Sequence, residues 1–209
     1  MTPNKRALVL GTVAAGLVLL TGWMWISNGR AQDQFSQCRQ SVVAGGMESF
    51  GTTFTLTNQD NVQMTDKEVF AEPSLLYFGY TFCPDVCPLD TSRNAEVAEI
   101  LREQGKTINT VMISIDPRRD TPEVLKSFTE AIDPEMIALT GTSEEIDTVS
   151  RAWKNFYQIH DQEDSEYYLV DHMTNTFLMM PGKGTVEFFN RNLTTDEMVT
   201  RVGCFIDAA

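Results

Sequence analysis

The chain alternates between short apolar runs and longer amphipathic stretches, and that alternation sets out the elements. Thr53 to Thr57 alternates apolar and polar positions, Asn58 to Asn61 is turn-like, and Val62 to Thr65 returns, which together predict a hairpin. Lys67 to Phe70 reads as a short turn. Leu75 to Tyr80 is an unbroken apolar and aromatic run, as expected of a central strand buried on both faces. Leu89, Val97, Ile100 and Leu101 then recur at near-helical spacing until Gly105 stops the helix. Thr110 to Ile115 is a second buried strand. Asp120 or Thr121 caps the next helix, with Pro122 in its first turn. Met136 to Leu139 is a short strand. Ser143 opens a helix expected to run through Val149, Trp153 and Phe156. Tyr167 to Val170, Thr176 to Met180 and Val186 to Phe189 read as strands, the last two joined by the turn Pro181 to Gly184. Thr194 or Thr195 caps a closing helix that carries Met198, Val202 and Phe205 on one side.

Strand and helix alternate through the middle of this order. That pattern predicts an α/β fold with a mainly parallel central sheet covered by helices. Reactive groups in such sheets gather at the carboxyl ends of strands. Residues 51–209 make this domain, with residues 27–50 as a polar linker before it.

Charge changes the picture at both ends. The net charge is −13 over 209 residues, but residues 1–31 hold only Lys5, Arg6 and Arg30 and no acid. The remainder carries 13 bases against 29 acids, a surface that repels phosphate backbones and argues against nucleic-acid binding. Ala7 to Ile26 is a twenty-residue stretch without a charge, about the thickness of a bilayer core when helical. Lys5 and Arg6 before it place residues 1–6 as a cytoplasmic tail, 7–26 as a transmembrane helix, and the rest outside the bacterial inner membrane in the periplasm. A cleaved signal peptide ending near Gly29-Arg30-Ala31 is the rival reading. Both export the domain to a compartment where disulfides persist.

The four cysteines divide by position. Cys83 and Cys87 stand four residues apart where the strand Leu75–Tyr80 gives way to a helix. On a helix-like turn both sulfurs face one way, and Cys87 is expected at the positive end of the helix dipole, which favours thiolate. Soft thiolates select Cu(I) or Zn(II). A plain disulfide or two buried cysteines is the bland alternative. Two thiolates leave such a site incomplete. Of two histidines, His160 lies in a polar, acidic stretch and reads as a surface residue. His172 follows the strand Tyr167–Val170, and it faces the cysteine loop if that strand neighbours Leu75–Tyr80. Asp171 is then placed to influence the ring. Four cysteines allow three pairings. For an exported chain Cys38–Cys204 is the natural structural disulfide, leaving Cys83 and Cys87 free. The ten methionines read as core packing, with only Met173 beside His172 of interest.

Three motifs together, Tyr77-Phe78-Gly79-Tyr80-Thr81-Phe82-Cys83-Pro84-Asp85-Val86-Cys87-Pro88, Ser114-Ile115-Asp116-Pro117-Arg118-Arg119-Asp120-Thr121-Pro122 and Val170-Asp171-His172, resemble the Sco/SenC family of membrane-tethered, thioredoxin-like copper proteins, over about residues 45–206. The resemblance implies a thioredoxin-like sheet flanked by helices and one copper ion, Cu(I) or Cu(II), held by Cys83, Cys87 and His172. It implies a metallochaperone that matures the binuclear copper centre of cytochrome c oxidase subunit II, supplied by an upstream periplasmic copper donor or reductant. The alternatives are a thiol-disulfide reductase, in which Cys83 and Cys87 form the redox-active pair and His172 has no part, and a copper-dependent redox sensor. Two departures stand out. Met173 occupies a position where relatives commonly carry Ser or Thr, and Cys38 with Cys204 is outside the general family pattern.

Overall fold

The computed structural model describes residues 33–41, 43, 45–160 and 167–209. Gln37 to Ala209 forms one compact unit, so within the expected linker the residues from Gln37 on belong to that unit. The strands are β1 (Thr55–Asn58), β2 (Gln63–Thr65), β3 (Ser74–Gly79), β4 (Asn109–Ser114), β5 (Ile137–Thr140), β6 (Tyr157–His160), β7 (Leu169–His172), β8 (Thr176–Met180) and β9 (Gly184–Phe189). The helices are α1 (Asp66–Val69), α2 (Val86–Glu103), α3 (Pro122–Ile132), α4 (Ser143–Ala152) and α5 (Thr195–Asp207).

Seven strands form one mixed sheet in the order β2-β1-β5-β4-β3-β8-β9. β3, β4 and β5 run parallel, while β1, β8 and β9 join antiparallel. With its flanking helices this is a thioredoxin-like α/β arrangement. All six residues of β3 are buried, as its unbroken apolar sequence requires of a strand covered on both faces. The predicted hairpin is β1–β2, and it extends the sheet through β5.

Helix starts follow one recipe with one exception. Thr65, Thr142 and Thr194 each cap a helix in a reciprocal box with a glutamate three residues on, and Thr121 caps α3 ahead of Pro122. Among the described α-helices α2 is the one that lacks a side-chain cap: Asp85 stands at its N-cap position and makes no cap hydrogen bond. That uncapped end faces the cysteine loop.

The sheet is mixed rather than mainly parallel as expected: β3–β4 and β4–β5 pair parallel, while β1–β2, β1–β5, β3–β8 and β8–β9 pair antiparallel. Three further expectations need correction. The helix opened by Ser143 stops at Ala152 rather than running to Phe156. Lys154 turns left-handed, with φ 54°, and the Asn155 side chain and N–H bond back to Ser150, so the apolar periodicity through Trp153 and Phe156 spans a helix end and a strand start. The strand after it, β6, pairs with β7 in a separate two-stranded ribbon. The strand carrying His172 therefore does not neighbour β3, whose partners are β4 and β8. The third correction is location. Among the described residues no helix is long and apolar enough to cross a membrane, which overturns the inner-membrane placement. The longest, α2, spans 18 residues and carries Asp90, Arg93, Glu96, Glu99, Arg102 and Glu103. Residues 7–26, assigned to an anchor, lie outside the described residues.

Candidate metal centre

Cys83 lies in the loop between β3 and α2, and Cys87 in the first turn of α2; both thiols are free. His172 is the last residue of β7. Their ligand atoms all lie within 4.8 Å of one another, with Cys87 Sγ 3.2 Å from His172 Nε2. The three side chains that the sequence singles out thus meet, although the ribbon brings His172 there by a different route from the one expected.

The two thiols differ. Cys87 is fully buried, and that burial pushes its pKa well above the ordinary thiol value. Cys83 is 8% exposed. Burial pushes its thiol up, but the backbone N–H groups of Asp85, Cys87 and Val86 pull it down further, and the net shift is downward. The Cys87 N–H donates to Cys83 Sγ at 3.4 Å. Cys83 therefore takes the place left by the missing cap, and the helix N-terminus stabilises its thiolate. The sequence expectation assigned this role to Cys87. Being inside the first turn points the Cys87 sulfur into the core, away from the N–H groups that carry the positive end of the dipole.

His172 presents a neutral imidazole to the thiols. Its Nδ1 lies 2.8 Å from the Met173 carbonyl, which only accepts, so Nδ1 carries the proton and Nε2 keeps its lone pair toward Cys87. Burial lowers its pKa below the usual histidine value, against the opposing pull of that carbonyl and of Asp90 and Asp171. The ring stands edge-on to Tyr77 and Tyr80, each centroid 6.0 Å away. Asp171 does not orient the ring: its carboxylate bonds His160 Nε2 at 2.7 Å on the exposed side of the ribbon. Alternation along a strand sends neighbouring side chains to opposite faces. Met173 contributes its backbone carbonyl, while its side chain is 42% exposed.

Sequence reading missed several supports. Gly79 is required because a Cβ there would stand 2.6 Å from the Tyr77 ring and 3.2 Å from Cys87 Sγ. The Tyr77 hydroxyl donates to buried Asp90 at 3.3 Å, and Asp90 in turn pairs with Arg93. Asp90 lies three residues after Cys87 on α2, a helical spacing that was available as a signal. Asp120, read as a candidate cap, instead accepts from the Thr81 N–H and hydroxyl and from Ser114, fixing the loop that carries Cys83. Asp116, Arg119 and Tyr168 form a second anchor. Arg119 Nε donates to Asp116, its Nη1 donates to the Tyr168 carbonyl at 3.0 Å, and the Tyr168 hydroxyl donates to Asp116.

Elsewhere, Cys38 and Cys204 are joined in a disulfide with Cα atoms 5.7 Å apart. Gln40 and Ser41 beside it donate backbone N–H groups to the buried Glu187 carboxylate, which pairs with Arg201.

Two thiols and a neutral imidazole make a soft, nitrogen-containing donor set that suits copper and leaves hard cations poorly served. Comparison with known proteins agrees with this geometry. Residues 43–207 match the SCO1/SenC family. This chain belongs to that family. It is 43% identical over 176 residues to Protein SenC of Rhodobacter capsulatus, covering 84% of this chain and 79% of that protein. Among solved structures it is similar to Arabidopsis thaliana ScoI with copper bound, at 34% identity and a TM-score of 0.70, covering 75% of this chain and 98% of the other. Bradyrhizobium japonicum ScoI with copper bound is 32% identical with a TM-score of 0.67, covering 74% and 98%. Two ScoI structures with copper bound thus share the fold of this chain and about a third of its aligned residues.

Proposed function

We propose that this SCO1/SenC protein is a copper metallochaperone that carries one copper ion on Cys83, Cys87 and His172 and serves assembly of the binuclear copper centre of cytochrome c oxidase subunit II. The observation that carries the reading is the Cys87 Sγ to His172 Nε2 approach of 3.2 Å with Nδ1 committed to the Met173 carbonyl. A dithiol reaction needs no imidazole aimed at its sulfur, whereas a site that also holds Cu(II) gains its nitrogen donor there. Copper-bound relatives at 34% and 32% identity support the same choice.

A second reading, a reductase that keeps the target's cysteines reduced, draws on the unequal thiols. Cys83, with its thiolate stabilised at the end of α2, is suited to attack a disulfide, and buried Cys87 is suited to resolve the mixed disulfide. Both activities are compatible with one loop. A copper-dependent redox sensor would use the same three residues.

His172→Ala separates them. Copper delivery predicts that the variant loses Cu(II) affinity by at least about 100-fold while retaining most Cu(I) affinity, because two thiolates alone hold Cu(I). Mixing the copper-loaded chain with apo subunit II, and following both copper transfer and the target's thiol state, reads the two activities side by side. Unchanged Cu(II) spectrum and affinity in His172→Ala would remove the third ligand and favour the reductase.

A further inference from the structure

Among the described residues the ribbon that carries His172 has no hydrogen-bond ladder to the seven-stranded sheet, and β7 pairs with β6 alone. Backbone pairing therefore does not set the distance between the imidazole and the thiols. Side chains set it, and Arg119 is central to them. Its guanidinium carbon lies 3.5 Å from the centroid of the Tyr168 ring, at the foot of β7, and 4.8 Å from that of Phe82, next to Cys83. The same group donates to the Tyr168 carbonyl and to Asp116, and the Tyr168 hydroxyl closes the triangle on Asp116. One planar cation thus touches the thiol loop, the ribbon and the end of β4. Tyr80 adds a further tie, accepting the Val170 N–H at 3.2 Å, and Arg118 also lies over the Tyr168 ring, 5.2 Å from its centroid.

We propose that Arg119 is a positioning residue that holds His172 against the two thiols and so decides whether the centre offers two ligands or three. This rests on the copper reading above. With the ribbon seated, two sulfurs and Nε2 converge. With it displaced, the sulfur pair remains, because the bonds of Thr81 and Ser114 to Asp120 hold the cysteine loop through contacts other than the Arg119–Phe82 stack. A two-sulfur site suits Cu(I), and Cu(II) requires the nitrogen. Arg119 would therefore govern which oxidation state is retained without touching the metal. The planar fork matters, since a lysine keeps the charge but loses the stack and the second directed N–H.

The test compares Cu(II) and Cu(I) affinities and the sulfur-to-Cu(II) charge-transfer band in the full-length chain, for wild type, Arg119→Lys, Tyr168→Phe, His172→Ala and the double variant Arg119→Lys/His172→Ala. Arg119→Lys is expected to weaken Cu(II) binding about tenfold and diminish the band, with Cu(I) affinity changed less than about twofold. Tyr168→Phe keeps the ring and loses only the Asp116 bond, so a smaller loss of the same kind, about threefold, is expected; it decides the matter if Arg119→Lys does not fold. In the His172→Ala background Arg119→Lys should have no further effect on Cu(II). Equal losses of Cu(I) and Cu(II), an unchanged Cu(II) affinity, or an Arg119 effect that persists without His172 would each overturn the proposal. A wild-type chain that takes up no copper would overturn the copper reading itself, and this proposal with it.

Discussion

The four cysteines form two pairs that differ in almost every physical respect. Cys83 and Cys87 are four residues apart, lie at a strand-to-helix turn and remain free thiols. Cys38 and Cys204 are 166 residues apart and are joined in a disulfide that ties the start of the compact unit to α5. The short pair is surrounded by groups that adjust its chemistry: backbone N–H groups on one sulfur, an imidazole against the other, and buried Asp90 behind Tyr77. The long pair is surrounded by groups that hold chain in place, namely Glu187 with the Gln40 and Ser41 N–H groups and Arg201. One pair offers free sulfur beside an imidazole and the other commits its sulfur to a staple, and the neighbours of each pair differ accordingly.

The sharpest way to break this comparison is to remove one sulfur from each pair. Cys83→Ser should abolish the Cu(II) charge-transfer band and lower Cu(II) affinity by more than about 100-fold. Its cost in stability should be small, because a serine hydroxyl is a good acceptor at a helix N-terminus and takes over the N–H of Cys87. The double variant Cys38→Ser/Cys204→Ser should do the reverse. Opening so long a loop is expected to cost about 2–5 kcal/mol, a fall in Tm of roughly 5–15 °C, with copper binding unchanged. Calorimetry and copper titration on both variants check the two halves. A copper defect in the double variant would show that the staple also shapes the metal centre.

A finer contrast lies inside the short pair. The reduced, copper-free chain should react with iodoacetamide at Cys83 first, faster than at Cys87 by more than about tenfold, with a pH midpoint for Cys83 below the ordinary thiol value. Mass spectrometry of the singly labelled species reads the order directly. Preferential labelling of Cys87 would mean that the helix N-terminus serves that sulfur after all.

The sequence shows the sheet core clearly, because Leu75 to Phe78 in β3 and Val111 to Ile113 in β4 are continuous apolar runs that a doubly covered strand explains. It shows both thiols and His172 as candidates, because few residue types bind soft metals. It does not show how they meet. The ribbon β6–β7 is two four-residue strands, and the alternation over Tyr157, Gln158, Ile159 and His160 is too short to announce it, while Trp153 and Phe156 extend a helical pattern past the point where Lys154 turns the chain. Nor does residue type distinguish the two thiols. That difference comes from an absent cap on α2, visible only when the other helices show their Thr caps. Asp120 and Arg119 sit in a motif that the sequence offers as a helix start. Thr121 alone does the capping, while its neighbours reach across to the thiol loop and the ribbon.

The smallest expected effect concerns His172, and it sharpens the contrast with the exposed His160. Burial holds the His172 pKa below the model-peptide value of about 6.5, because the charged imidazolium is poorly solvated there. In the unfolded chain the ring takes up its proton as pH falls past about 6.5, while in the folded chain it stays neutral to a lower pH. Over that window the unfolded state binds more protons, so stability falls as pH drops and levels off only below the folded pKa. Above about pH 8 both states are neutral and His172 adds no pH dependence. Following the ring Cε1–H by NMR in the copper-free chain should give a midpoint below 6.5 for His172. Denaturant unfolding between pH 7 and 5 should show a loss of stability that is reduced in His172→Ala. The neutral ring is also the form whose Nε2 lone pair faces Cys87, so copper binding should tolerate mild acid better than an exposed histidine would allow. A midpoint at or above 6.5 would mean that the Met173 carbonyl and the acidic neighbours Asp90 and Asp171 outweigh burial, and that the ligand is not held in its metal-ready form.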